Sequence, residues 1–327
     1  MYFSIIIPMY NAEKYIVKCI ESILQQKKEL YELILIDDGS TDKTVEIVTN
    51  YIKKNDNFIL IKQTNKGPSA ARNQGIQRAS GDWIMFVDAD DWLENDALLI
   101  MKKCLDNEDV DMLSFDYYKN SKVVRNNCNR VMLVQEYSSM VLCPKYHYGL
   151  IWSNVYSAKL LKKNKIFFNE ELFYSEDCEF MVKLCGYLTY IKVIDIPLYH
   201  YRVCNDSLSR TYKEDILEKY LKAIQIIEGE IKHLPMHNEM QETFFVYVRL
   251  MVIFIVLNSI FHPNNSKTLY EKNTVLKTFL LEDIIRKAMS GNIYKEFGIV
   301  KRFTLFCIKH QLSIFLLVIS YVKNRRG

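Results

Sequence analysis

The sequence is short of the residues that cross-link or punctuate a chain. Its eight cysteines, at 19, 104, 128, 143, 178, 185, 204 and 307, include no Cys-x-x-Cys pair. That excludes a zinc ribbon and a secreted disulfide framework, and the thiols read as the scattered, reduced cysteines of a cytoplasmic chain. Glycine and proline number only 10 and 6, which excludes collagen-like and low-complexity disordered chains. No two glycines stand in G-x-G spacing, and no G-x-x-x-x-G-K-[ST] run occurs. The dinucleotide fingerprint and the P-loop are therefore both missing, and any phosphate must be held by metal and side chains. An excess of one charge is missing too: 43 Lys+Arg against 39 Asp+Glu gives +4, too mild to argue for nucleic acid. The first residues, Met1-Tyr-Phe-Ser-Ile-Ile-Ile-Pro8, have no basic start and too short an apolar run for a secretory signal. We expect a protein that begins in the cytosol and works on that side.

What is present is a chain of 327 residues, 49% hydrophobic, long enough for roughly two domains. Residues 3–7 form a β-branched run closed by Pro8, and residues 12–25 follow with Ile16, Cys19, Ile20, Ile23 and Leu24 on one helical face. Residues 33–36 repeat the strand signal, and Thr41 and Asp42 can cap a helix through Val45 and Val48. Residues 58–61 and 83–87 are further strands around a helix over 68–79, and 110–115 reads as another. Strand alternating with helix four times predicts parallel βαβ units, hence an α/β fold with an open, doubly wound sheet. Between 116 and 150 the periodicity weakens, which reads as a hairpin with mobile loops. Helical spacing returns after Ser175, and a strand covers about 190–196. From about 213 the chain reads as helical, punctuated by Pro235 and Pro263. We place the boundary near 210: residues 1–210 as a nucleotide-sugar-binding catalytic domain, residues 211–327 as an α-helical C-terminal extension.

In an open parallel sheet, ligands sit at the carboxyl ends of the strands. There the sequence places Pro8, Tyr10 and Asn11, then Asp37-Asp38-Gly39-Ser40, then Asp88, Asp90 and Asp91. Carboxylates gathered on one edge repel unless a cation joins them, and hard oxygen ligands favour Mn2+ or Mg2+.

Six segments carry a resemblance. Ser4-Ile-Ile-Ile-Pro-Met-Tyr-Asn11, Ile36-Asp-Asp-Gly-Ser-Thr-Asp42, Asn65-Lys-Gly-Pro-Ser-Ala-Ala-Arg-Asn73, Phe86-Val-Asp-Ala-Asp-Asp-Trp92, Ser175-Glu-Asp-Cys-Glu-Phe180 and Pro197-Leu-Tyr-His-Tyr-Arg202 resemble the family 2 glycosyltransferases. The similarity covers about residues 2–210. It implies an inverting enzyme of the GT-A fold, with a mostly parallel sheet and flanking helices, that uses a nucleotide-diphospho-sugar. Position by position it implies that Pro8 and Tyr10 border the base and that Asp37 accepts from the uracil ring. Arg72 would reach the diphosphate or sugar. Asp88 and Asp90 form the D-x-D pair, with Asp90 as ligand to Mn2+ or Mg2+ and Asp88 assisting at sugar or metal. Asp177 would be the general base, with Glu176 a positioning residue.

Bland readings stand beside these. The Asp37–Ser40 segment could be a strand-ending turn, Arg72 a solvated helix residue, and Glu176 and Asp177 first-turn acids favoured by the helix dipole. Asp91 reads as the cap of a helix starting at Trp92. His200, between two tyrosines, reads as packed, and Arg202 stays open as a phosphate contact. His233 and His237 are parted by Pro235 and form no metal pair. The sequence thus points to a metal-dependent transferase moving a hexose or N-acetylhexosamine from a UDP-sugar to a saccharide acceptor. Surface polysaccharide (capsule-type) assembly on a lipid-linked acceptor is the expected setting. A nucleotidyltransferase, or a non-catalytic family member acting as a membrane scaffold, are the rivals.

Two apolar stretches bear on membranes. Residues 244–261 contain Arg249 and Asn258 and read as a buried helix. Residues 303–322 would suffice in length for a span, but Lys309, His310 and Gln311 interrupt them. With six Lys/Arg and no acid from 301 to 327, we expect a helix lying in the interface of an anionic membrane, hence a peripheral protein on the inner face of the cell membrane. A packing helix or a true span are the alternatives.

Overall fold

The computed structural model of the chain describes residues 2–106, 108–203, 212–291 and 294–325. It forms two compact units, residues 1–141 with 146–203 and residues 142–145 with 204–327. Cys204, Arg326 and the boundary expected near 210 lie outside the described residues.

The first unit opens with β1 (Phe3–Met9), α1 (Ile16–Leu24), β2 (Tyr31–Asp37), α2 (Thr44–Ile52), β3 (Phe58–Lys62), α3 (Pro68–Arg78) and β4 (Trp83–Phe86). The strands pair in parallel in the order β3-β2-β1-β4, with Met9 opposite Asp37 and Ile6 opposite Phe86. The apolar runs become strands because both faces of the sheet are covered: every residue of β2 is buried. Gly75 lets α3 close on β1, since a Cβ there would lie 2.3 Å from Ile6 Cγ2.

Beyond β4 the alternation ends. The chain continues through β5 (Trp92–Leu93), α4 (Ala97–Leu105), β6 (Met112–Lys119), β7 (Lys122–Val124), β8 (Arg130–Leu133), α5 (Val134–Val141), β9 (Asn154–Ser157), α6 (Ala158–Lys163), α7 (Glu176–Cys185) and β10 (Tyr190–Tyr201). The sheet extends as β4-β9-β6-β10-β5, with β9 antiparallel to β4 and β6, so the sheet is mixed. The hairpin expected after residue 116 is β6–β7; β8 and α5, four and eight residues long, are too short to show periodicity. β10 outruns the expected 190–196 because register shifts at Pro197 carry the pairing on to Tyr201. Asp91 caps no helix. Trp92–Leu93 pair with His200 and Tyr199 as a strand, and the next helix starts at Ala97.

The described part of the second unit is helical: α8 (Ile216–Lys232), α9 (His237–Ile255) continued as a π-helix by Val256–Ile260, α10 (Leu269–Leu281), α11 (Asp283–Ala288), α12 (Ile299–Lys309) and α13 (Ser313–Arg325). α9 with its continuation is long and apolar enough to cross a bilayer by length and composition. It is nonetheless the unit's core helix: Phe244, Val248, Val252 and Ile255 are buried, and Arg249 Nε donates to the Ala288 carbonyl at 2.6 Å. The single helix expected over 303–322 is instead two, α12 and α13. Gln311 turns the chain with a left-handed φ of 53°, and the Leu312 N–H bonds the Cys307 carbonyl. His233 ends α8 and His237 begins α9, so they form no metal pair. The seven described cysteines are free thiols.

Candidate active site

The parallel register brings the carboxyl ends of β1, β2 and β4 to one edge. The Asp38 N–H bonds the Met9 carbonyl and the Val87 N–H bonds the Ile6 carbonyl, so the three following loops start side by side. Pro8 stays within β1 opposite Ile36, while Tyr10 stands exposed just past its end. Asn11, left-handed at φ 49°, knits the first two loops: its N–H donates to Ser40 Oγ and its Oδ1 accepts the Thr41 N–H.

Asp37 and Asp38 divide their work. Asp38 accepts from Gln63 Nε2 and from the N–H groups of Lys66 and Gly67, holding down the approach to α3. Gly39, at φ +78°, packs where a Cβ would crowd the Asn65 N–H. Buried Asp37 accepts only the Ser40 N–H, through Oδ1, among the described residues. Its second oxygen is the one that remains for a ligand. The segment is thus a turn and a candidate binding element at once.

Arg72 is the hub. It is buried, which sets aside the solvated-helix reading. It reaches Asp88 Oδ1 at 3.2 Å, Asp177 Oδ1 at 3.4 Å and Glu176 Oε1 at 3.6 Å. Burial works against its charge, but Asp177, Asp88 and Glu176 outweigh burial and raise its pKa. Its Nε is buried without a partner among the described residues. Next to it, Asn73 Nδ2 donates to the Phe168 carbonyl and Glu170, and its Oδ1 accepts the Phe168 N–H. This clamp, 95 residues apart in sequence, seats Phe168 under the Arg72 guanidinium.

Asp177 and Glu176 come from the first turn of α7, entered through Ser175 in the left-handed region. Burial pushes the Asp177 carboxyl up to about 8; Arg72 opposes this, and the charges of Glu176 and Asp88 add to it. A carboxylate held this way has raised proton affinity beside a single buried cation, which suits a general base.

On the other side, the loop after β4 is clasped from β10. The Tyr199 hydroxyl accepts the Asp88 N–H at 3.1 Å and donates to Asp91 Oδ2 at 2.7 Å. The Arg202 N–H donates to Asp91 Oδ1, and Arg202 Nε donates to the Asp90 carbonyl. The Arg202 guanidinium lies over the rings of Tyr15 and Trp92, so in this state it positions the loop. Burial, with the Asp88 and Asp90 charges, pushes Asp91 up to about 8. His200 is stacked between Trp92 and Tyr118 and paired with Glu94 at 2.9 Å, a packed histidine as expected. Tyr199 and Asn73 both stood within motifs but without a role, because the partners of Tyr199 lie 108 and 111 residues away and those of Asn73 lie 95 and 97 away.

Among the described residues no three His, Cys, Asp or Glu side chains gather as a metal site. With both Asp91 oxygens engaged, the loop offers Asp88 and Asp90. Two carboxylates, completed by water and substrate phosphate oxygens, are the donor set a hard divalent ion accepts, so the residues fit Mn2+ or Mg2+. A cavity of about 430 Å³ lined by Ser80, Asp82, Trp83, Ser157 and Lys162 lies at the opposite end of β4 and takes no part in this cluster.

The strand-end carboxylates of the parallel strands thus face a helix-borne Glu-Asp pair across one arginine. The profile of Glycosyl transferase family 2 matches residues 4–165. EpsJ of Bacillus subtilis, described as an uncharacterized glycosyltransferase, is 28% identical over 328 residues, covering 96% of this chain and 94% of that one. The poly(ribitol-phosphate) beta-N-acetylglucosaminyltransferase TarS of Staphylococcus aureus is 31% identical over 241 residues, covering 71% of this chain and 42% of TarS. A TarS crystal structure with UDP has the same fold, with TM-score 0.70 at 24% identity, covering 100% of this chain and 92% of that one; TarS was also solved with UDP-GlcNAc. The mannosyltransferase PcManGT of Pyrobaculum calidifontis, solved with GDP-Man and Mn2+, shares the fold with TM-score 0.51 at 16% identity, covering 94% and 86%. The chain belongs to glycosyltransferase family 2.

Proposed function

We propose that this chain is an inverting transferase that moves a hexose or N-acetylhexosamine from a UDP-sugar to a saccharide acceptor, in the assembly of a bacterial surface polymer. One observation carries the reading: Arg72 joins the D-x-D loop, through Asp88, to Asp177 on α7. The donor-side and acceptor-side carboxylates thus share one buried cation. The UDP complexes of TarS, and its action on a ribitol-phosphate polymer, support UDP and the polymer setting.

In this reading Tyr10 and Pro8 border the base, and Asp37 accepts from it through its unengaged oxygen. Arg72 faces the diphosphate. Asp90 with Asp88 would hold Mn2+ or Mg2+, which when bound offsets the charge on the departing diphosphate. Asp177 takes the proton of the acceptor hydroxyl as that oxygen bonds the anomeric carbon. The bond to the diphosphate oxygen breaks on the opposite face, its electron pair leaves with UDP, and the single displacement inverts the centre. The acceptor is a lipid-linked saccharide at the cytoplasmic face of the cell membrane.

The test is thermal stabilisation by nucleoside diphosphates and their sugars, with and without Mn2+. A ligand at 100 times its dissociation constant adds about 2.7 kcal/mol. The reading expects a shift with UDP and UDP-sugars that deepens with Mn2+. Stabilisation by another nucleotide alone would replace the donor.

A further inference from the structure

From Phe297 to the end of the chain no Asp or Glu occurs, and α12 and α13 occupy this stretch. At about 3.6 residues per turn, the residues α13 buries, Ser313, Leu316 and Ser320, fall on one side. Its other side is Ile314, Phe315, Val318, Tyr321 and Val322, all exposed, with Ile314 at 68% and Phe315 at 53%. No charged side chain stands among them. This inverts the pattern of a surface helix, whose outward face is polar. α12 does the same: it buries Leu305, Cys307 and Ile308 and exposes Ile299, Phe303 and Phe306. The rings of Phe303 and Phe315 meet edge to face at 6.0 Å, so the two stripes form one apolar surface. By the same spacing Arg302 and Lys309 of α12, both exposed, flank the stripe.

We propose that this surface docks on a bilayer containing anionic lipid, the hairpin lying flat with its rings at the acyl boundary and its cations among the headgroups. The helices have 11 and 13 residues, and about 20 are needed to span, so they lie on the membrane. The charge selects lipid over a second copy of the chain: a face carrying cations and no acid would meet its own like charge in a symmetric pair, whereas anionic headgroups complement it. This deepens the reading of an enzyme acting on a lipid-linked saccharide, but rests on the helices alone, so it can fail while the donor chemistry stands.

The experiment is flotation of the full chain with phosphatidylcholine vesicles, with and without phosphatidylglycerol. The protein should float with the phosphatidylglycerol vesicles, and high salt should release only part of it, because salt screens charge but not apolar burial. The double variant Phe315→Asp, Val318→Asp should lower the bound fraction about tenfold or more, with its thermal shift by UDP intact. If that variant does not fold, Lys309→Glu should weaken binding to phosphatidylglycerol vesicles selectively. The proposal is overturned if the unaltered chain ignores such vesicles at low salt, if the folded variants float as well as it does, or if sedimentation shows a dimer that Phe315→Asp dissolves while no form binds lipid.

Discussion

At Tyr199 one hydroxyl accepts the Asp88 N–H and donates to Asp91, so a single side chain from β10 fixes both ends of the loop carrying Asp90. Tyr199→Phe leaves those two groups without their partner in a buried setting, a loss of about 1–3 kcal/mol that urea denaturation measures. The account also expects weaker Mn2+-dependent UDP binding in this variant; unchanged stability and binding would remove Tyr199 from the clasp. Asp177→Asn should keep donor binding, read by the UDP thermal shift, and lower turnover about 10²-fold or more; normal turnover would move the base elsewhere, with Glu176 next. The raised pKa of Asp177, about 8, sets the sign of the pH profile. Only its ionised form accepts the proton, so kcat/KM should climb as pH rises through about 8, and that limb should vanish in Asp177→Asn. Asp88 was legible because it follows a strand, and Asp177 because its Glu-Asp segment opens a helix in a motif of the resemblance. The fate of Asp91 was not: a local sequence shows an acid before Trp92, which looks like a cap, while the partners that claim it come from β10.

Among the elements, β1, β2 and β4 could be read directly because each is an apolar run buried along almost all its length, and β3 because its apolar run Phe58–Ile61 is short and bounded by polar residues. The later strands could not, since β5 and β7 are two and three residues long and are held by pairing with distant partners. The break between α12 and α13 was also hidden, because Gln311 is an unusual residue for a left-handed turn and the apolar pattern runs on through both sides. Gly75 shows how tightly the helix layer is set. Gly75→Ala pushes a methyl into Ile6, the overpacking that costs about 1–3 kcal/mol, and a lower Tm should report it. An unchanged Tm would mean that α3 can lift from β1 without loss.

At the scale of the whole molecule, the family and the GT-A fold account for the first unit. Asp90→Asn separates the metal from the rest: the account expects UDP to bind without the added Mn2+ effect and transfer to be abolished, and full activity in that variant would take the ion out of the mechanism. In the proposed mechanism Asp177 drives one inverting displacement on a UDP-sugar. Its most direct measurement is the anomeric configuration of the product formed from an α-linked UDP-sugar and a saccharide acceptor, read by NMR alongside the nucleotide released. The expected result is a β-linked product with UDP released in equal amount. An α-linked product, or pyrophosphate in place of UDP, would contradict it.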